Sequence, residues 1–250
     1  MLFRSSLISG PHGVNHYIQI ALAQNPTISA AQRKVAAQNE VRPQVTSLDD
    51  PMLSDTLFPI TDNAIQTAAG RAPNTIMLSQ KFPWQGKLSV RGKLADADTQ
   101  MALRELAEAR LAVTEDVRLA YYEVASSQRI IQITESSRDL LIDLLAFAEA
   151  RFRTGGSQQD VIRAQLEIDN LTNRLIKLRR SLAAAQADLA ATMNASQDER
   201  PTALDNPPGI SVPGELDRLY QTAAECRPEL QKWLHAVVKA EHLEERSEEH

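Results

Sequence analysis

From Pro83 to Pro201 the chain contains no proline, although twelve prolines are spread over the rest of its 250 residues. An interior proline removes a backbone hydrogen bond and clashes with the preceding turn, so a long window without one is permissive for very long helices. The window also holds only four glycines, Gly86, Gly92, Gly155 and Gly156, and the last two form the only glycine doublet in the chain. A sequence built this way constrains the fold to long helices broken at one deliberate point.

Hydrophobic periodicity supports that reading. Leu103, Leu106, Arg110, Val113, Val117, Ala120, Val124, Ser127, Ile131, Thr134, Arg138, Leu141, Leu145, Ala148 and Phe152 alternate at steps of three and four, and eleven of the fifteen are apolar. A second seam runs beside the first through Leu119, Tyr122, Ser126, Ile130, Ile133, Ser137, Leu140, Leu144 and Phe147. A helix with two adjacent apolar seams needs partners on two sides, as in a ring or bundle. The expected helix runs from near Leu88 to Arg153, roughly 65 residues and about 100 Å at 1.5 Å per residue.

After the glycines the ladder resumes through Val161, Ala164, Ile168, Leu171, Leu175, Leu178, Leu182, Ala185 and Leu189. A second helix of about 35 residues is therefore expected to fold back antiparallel on the first. Either Gly155 or Gly156 suits the left-handed position that ends a helix, and Ser157 with Asp160 reads as an S-x-x-D capping box that starts the next. RFRTGGSQQDVIRAQ is thus a hairpin tip.

The first third has a different texture. Residues 14–42 read as a short helix, a break at Asn25-Pro26, and a second helix to about Val41. Met52 to Ile60 and Asn74 to Phe82 suit two extended segments separated by a polar TDNAIQTAAGRAP loop. Ile76, Leu78 and Phe82 alternate with Thr75, Met77, Ser79 and Lys81, the pattern of an ordinary half-buried strand or of a barrel strand with one face toward lipid. At the end, LDRLYQTAAECRPELQKWLHAVVKAEHLEE from Leu216 repeats VNHYIQIALAQNPTISAAQRKVAAQNEVR from Val14, with Pro228 matching Pro26 and Ala223 matching Ala21.

Composition closes off other classes. Aromatics make up 4% of residues and the net charge is −5 with both signs interspersed, so there is no basic footprint for nucleic acid. One cysteine, Cys226, excludes an internal disulfide and a cysteine metal cluster. No apolar run reaches the length of a transmembrane helix, and the start, MLFRSSLISGPHG, has no apolar stretch of signal-peptide length. His12 and His16 lie four apart without a third ligand nearby, His235 and His242 suit a helix surface, and Met52, Met77, Met101 and Met193 are scattered, so no metal site is expected. No phosphate loop follows a strand and no nucleophile elbow occurs, so no enzyme and no cofactor are expected.

A helix pair broken at Asn-Pro, then DDPML, a loop, LSQKFPWQGKL, a very long helix containing AYYEVASSQ, and ARFRTGGSQQDVIRAQLEI opening a second long helix resemble, in that order, the first structural repeat of the outer-membrane efflux protein family, the TolC type. The FPWQGK junction is most similar to its heavy-metal-efflux branch, and the match covers roughly residues 14–246. The resemblance implies a mainly α fold with a small β part: a long antiparallel helical hairpin as a segment of an α-barrel, plus two strands of a transmembrane β-barrel. The implied segments are an N-terminal helix pair at 14–45, a two-strand barrel segment at 46–84, the long hairpin at 85–200, and the start of a second repeat at 214–250. It further implies a homotrimeric passive conduit for metal ions or small toxic compounds, in the outer membrane with a periplasmic extension. Its partners would be a periplasmic adaptor and an inner-membrane pump of the resistance-nodulation-division type.

Carried over to this sequence, Thr154, Gly155, Gly156, Ser157 and Gln158 would form the adaptor-contacting tip. Asp160 falls where some members carry an aspartate that tethers the closed entrance, although helix capping accounts for it equally. Trp84 and Lys87 would sit near the membrane interface, or else form a turn anchor with a solvated lysine. The family has two repeats and four strands per protomer, whereas one repeat and two strands are legible here, which reads as a fragment, a truncated reading frame or a partial gene model. The competing class is a non-membrane helical-hairpin interaction protein such as a periplasmic adaptor, which the order of strands and helices fits poorly.

Overall fold

A computed structural model of the chain describes residues 10–57, 65–67, 70–72, 74–196, 198–205 and 214–248. In chain order the elements are β1 (Pro11–His12), α1 (Val14–Gln24), α2 (Pro26–Asn39), α3 (Val41–Thr46), β2 (Met52–Leu57), β3 (Ile65–Thr67), β4 (Gly70–Ala72) and β5 (Asn74–Ser79). They continue with α4 (Lys87–Arg153), α5 (Gln158–Thr192), β6 (Thr202–Ala203), α6 (Leu216–Cys226) and α7 (Pro228–Glu248). The protein is mainly helical with a small β part, as the periodicity and the resemblance imply.

The proline-free window becomes two helices, 67 and 35 residues long. Prolines shape the first third as well. Pro26 opens α2, where its missing N–H has no helical partner to lose. Asn25 caps both neighbours: its backbone N–H donates to Ala21 O at 2.8 Å at the end of α1, and its side-chain Oδ1 accepts from Thr27 N at 2.9 Å at the start of α2. The sequence expectation of a second helix reaching Val41 is corrected. Pro43 has no N–H to offer the carbonyl of Asn39, so α2 stops there and α3 begins two residues later.

The second strand is shorter than expected. β2 and β5 pair antiparallel from Met52↔Ser79 to Leu57↔Asn74. The remainder of the first expected strand, residues 58–60, lies outside the described residues, and residues 80–82 are not strand. The segment read as a polar loop carries a further antiparallel pair, β3 with β4, from Ile65↔Ala72 to Thr67↔Gly70. Ile65 and Thr67, a β-branched pair at alternating positions, carried that signal.

The chain divides into two compact units. The first comprises Met1–Gln32 and Leu106–Arg227. Its core joins Tyr17, Ile18, Ala21 and Ile28 to Val113, Val117, Tyr121 and Val124 of α4 and to Ala185, Leu189 and Met193 at the end of α5. Polar groups close the bottom of this core. Tyr17 Oη donates to Thr202 O at 2.8 Å, Tyr121 Oη accepts from Leu204 N at 3.3 Å, Gln128 Oε1 accepts from Ala203 N at 3.1 Å, and Gln186 Nε2 donates to Pro201 O at 3.1 Å. These bonds hold the two-residue parallel pair of β1 with β6, which is too short to stand on its ladder alone. Burial pushes the Tyr17 hydroxyl above its ordinary value, so it remains a donor at neutral pH.

The second unit comprises Arg33–Glu105 and Pro228–His250. In it the first turns of α4 are flanked by the end of α2 with α3 on one side and by α7 on the other. Val35 of α2 and Val90, Leu94, Ala95, Ala97 and Ala102 of α4 are buried in it, and ion pairs join the helices: Arg42 Nη1 with Asp96 at 3.0 Å, Lys239 Nζ with Asp98 at 2.6 Å, and Lys232 Nζ with Glu105 at 2.9 Å.

Candidate functional site

The hairpin tip is built by its two glycines for two separate reasons. Gly155 takes φ +100°, in the left-handed region, and a Cβ there would meet nothing within 4 Å. Gly156 has ordinary backbone, but a Cβ on it would lie 2.9 Å from the carbonyl oxygen of Arg151 and 3.0 Å from the carbonyl carbon. That approach is what allows Gly156 N to donate to Arg151 O at 2.9 Å while Gly155 N donates to Phe152 O at 3.1 Å. The two bonds form a Schellman motif that satisfies the last carbonyls of α4. Thr154 adds its hydroxyl to the Arg151 carbonyl at 2.8 Å.

The restart differs from the expected capping box. Ser157 Oγ accepts from Gln159 N at 3.2 Å, one residue short of Asp160, and the Asp160 carboxylate makes no hydrogen bond back among the described residues. Asp160 stands exposed in the first turn of α5, where its charge complements the helix dipole. Gln158 opens the helix and is exposed.

Behind the tip, α4 and α5 run antiparallel, tied by the Arg179–Glu135 ion pair at 2.7 Å. One face of the hairpin carries an open groove of about 400 Å³ floored by Leu144, Phe147 and Ala148 and rimmed by Arg151, Asp160 and Arg163. Leu144 and Phe147 belong to the second heptad seam of α4, which this chain leaves uncovered. Val117 and Val124 of the first seam are fully buried, whereas Leu119 of the second is 65% exposed, Leu140 70% and Phe147 66%. On α5 each rung of the ladder from Val161 to Leu189 is buried or half-buried, while Ile162, Leu166 and Ile176 are exposed.

A second uncovered region lies at the strand ribbon. The register puts Leu53, Asp55, Ile76 and Leu78 on one face and Met52, Ser54, Thr56, Thr75, Met77 and Ser79 on the other. Leu53, Ile76 and Leu78 are all more than seven-tenths exposed. Trp84 and Lys87 form the turn from this ribbon into α4: Lys87 N donates to Trp84 O at 3.2 Å, Gly86 between them takes φ +96°, and the Trp84 ring is 83% exposed. Lys87 is half-buried as the first residue of α4.

The candidate residues therefore form two groups, Thr154 to Asp160 at the tip and Trp84 with Lys87 at the start of α4. Sequence reasoning missed Arg163 in the groove rim and the polar closure by Gln128, Gln186 and Tyr121. Tyr121 and Gln128 fall within AYYEVASSQ, a stretch that periodicity alone reads as seam. Among the described residues no group of three or more metal-ligating side chains converges. His12 and His16 stack with ring centroids 4.2 Å apart, an arrangement in which the ring lone pairs do not converge on one ion.

The model of the family described as outer membrane efflux protein matches residues 17–195. No curated protein matches the sequence. Among solved structures the fold is similar to the outer membrane protein VceC of Vibrio cholerae, at 19% identity and TM-score 0.70 over 90% of this chain and 57% of that one. It is similar to CusC at 18% identity and TM-score 0.70, over 95% of this chain and 56% of that one. It is also similar to the CmeC outer membrane channel of Campylobacter jejuni, at 13% identity and TM-score 0.66 over 92% and 52%. The chain thus spans just over half the length of the proteins it resembles, and at these identities the likeness is one of fold.

Proposed function

The chain belongs to the outer membrane efflux protein family, a family of channels and not of enzymes, and from that premise we propose that it forms part of the wall of a trimeric efflux conduit. The observation that carries this reading is the pair of seams on α4, one buried within the chain and one left bare along the same helix. A solitary hairpin gains nothing from a bare apolar seam, whereas a helix in a closed ring needs a neighbour on each side. The β2–β5 ribbon supports the same reading, with Leu53, Ile76 and Leu78, which share their face with Asp55, toward lipid and the mostly polar face toward the lumen. Trp84 and Lys87 at the start of α4 would then lie at the membrane interface.

In this reading residues 14–45, 46–84 and 85–200 are the helix pair, barrel segment and hairpin of one repeat, and residues 214–250 begin another. The correspondence of α1–α2 with α6–α7 supports it: α1 and α6 are both 11 residues long, and Pro26 and Pro228 occupy the same place. Tyr17, Ile18 and Ala21 are buried, while Leu219 and Tyr220, at the matching positions of the second copy, are exposed. Those side chains would be covered by the hairpin of the second copy.

Thr154 to Gln158 and the groove behind them would meet a periplasmic adaptor of a pump of the resistance-nodulation-division type, with Asp160 available to tether neighbouring hairpins when the entrance is closed. Passive efflux of metal ions or small toxic compounds follows, and the FPWQGK junction favours metal ions. Crosslinking of the full chain with a bifunctional lysine reagent tests the assembly, since each chain carries several lysines and three chains can be joined. Crosslinked trimers in the outer-membrane fraction support the proposal, and a soluble monomer without crosslinks refutes it.

A further inference from the structure

The helix α7 is seated the wrong way round for an amphipathic helix. Lys232, His235, Lys239 and His242 are half-buried against its own unit, while Trp233, Leu234, Val237 and Val238 are exposed. A surface helix ordinarily buries its apolar stripe and leaves its charges in water. A ladder of ion pairs ties α7 to α4. Lys232 Nζ meets Glu105 Oε1 at 2.9 Å, Lys239 Nζ meets Asp98 Oδ1 at 2.6 Å, and Lys93 Nζ meets Glu245 Oε1 at 3.0 Å. Positions descend along α4, from 105 to 98 to 93, as partner positions ascend along α7, from 232 to 239 to 245, so the rungs are antiparallel and share one register. A slip of one helical turn, about 5.4 Å, would break all three together.

Glu105 is unlike the other rungs because it works on both sides of α4. Its Oε1 takes Lys232 of α7, and its Oε2 takes Lys34 of α2. On that second side Arg42 pairs with Asp96 and the Thr99 hydroxyl donates to Gln38 O at 3.4 Å, in antiparallel order again. We propose that Glu105 is a register pin, one carboxylate that fixes the axial position of both α2 and α7 on α4 and places the seating of α7 under the control of charge. The hydrogen bonds from Lys34 and then Lys232 hold the Glu105 carboxyl below the usual carboxylate range, as two such clamps require. The consequence is a helix whose hold on α4 depends on charge at three points along its length.

Amide exchange followed by mass spectrometry on the full chain tests this. Glu105→Gln should raise the exchange of α7 and of residues 34–39 of α2 together, by about two- to fivefold for each ion pair lost. One-molar salt should loosen α7 in the native chain, and by less in the variant, which keeps the Lys239–Asp98 and Lys93–Glu245 rungs. Glu108→Gln serves as the control: Glu108 is exposed nearly one turn further along α4, in no ion pair among the described residues, and its loss should change neither helix. Asp98→Lys should loosen α7 alone, and Asp98→Lys with Lys239→Glu should restore it, a rescue that does not depend on Glu105 variants folding. Unchanged α7 exchange in Glu105→Gln and in salt would overturn the charge-controlled seating. Loosening of α7 with no change in α2 would overturn the shared pin.

Discussion

Alanine placed at each tip glycine separates the two jobs the doublet performs. At Gly155 the difficulty is conformational: a φ of +100° costs an L-residue about 1–2 kcal/mol, but a Cβ there has open space. At Gly156 the difficulty is contact, since the added Cβ would sit 2.9 Å from a backbone carbonyl oxygen that cannot swing away as a side chain can. The backbone must move instead, and the movement breaks the 2.9 Å bond from Gly156 N to Arg151 O, worth about 0.5–1.5 kcal/mol net. At 1.4 kcal/mol per tenfold, Gly155→Ala should therefore raise local opening of the tip by roughly five- to thirtyfold and Gly156→Ala by roughly two- to twelvefold. Amide exchange of residues 148–162 is the assay, because the seam near the tip is only half-buried and a local defect there need not reach the global transition. The variants also divide by rescue: asparagine, which tolerates the left-handed region, should recover much of the loss at 155 and none at 156. If Gly156→Ala leaves tip protection within twofold of the native chain, or if asparagine is as damaging as alanine at 155, the two-reason account is wrong.

Leu189→Ala opens a cavity in the fully buried core beside Tyr17 and Tyr121 and should cost about 2–5 kcal/mol in thermal or denaturant unfolding, against less than about 0.5 kcal/mol for exposed Ile162→Ala. Asn194, which ends α5 at φ +52° with its N–H on Ala191 O, should tolerate glycine and lose about 1 kcal/mol as alanine. Ile133→Gln with Leu140→Gln should abolish self-association in light scattering while leaving helicity at 222 nm unchanged, because both side chains are exposed within one chain. Acid should release α7 late. The carboxyls of Glu105 and Glu245 are held below the ordinary range, the first by hydrogen bonds from Lys34 and Lys232 and the second by those from Lys93 and His242. Their stabilisation is therefore complete above the ordinary glutamate value of about 4.3 and is lost as pH falls through the lower folded-state value. Exchange of α7, corrected for the intrinsic rate, should stay flat from neutral pH to about 5 and rise only below about 4; a rise already near pH 6 would contradict the sign.

Sequence alone determined the elements whose cause is local. The absence of proline over more than a hundred residues and the three-and-four spacing are properties of neighbouring residues, so the two long helices were legible to within a residue or two at their ends. So was the turn between them, because only glycine serves a left-handed helix end and a close backbone approach. Contacts distant in sequence were not legible. Pro43 ends α2 by a local effect, but the pairing of β1 with β6 and the closure of the core by Gln128 and Gln186 depend on segments brought together by folding. Two seams were visible on α4, yet nothing in the spacing said which one the chain would cover with α1 and α5 and which it would leave bare. The inversion of α7 is the clearest case. Its pattern of Trp233, Leu234, Val237 and Val238 reads as a face to be buried, and only the tertiary arrangement of lysines opposite Glu105 and Asp98 turns that face outward. Periodicity reports that a face is apolar; which neighbour covers it is settled by where the rest of the chain lies.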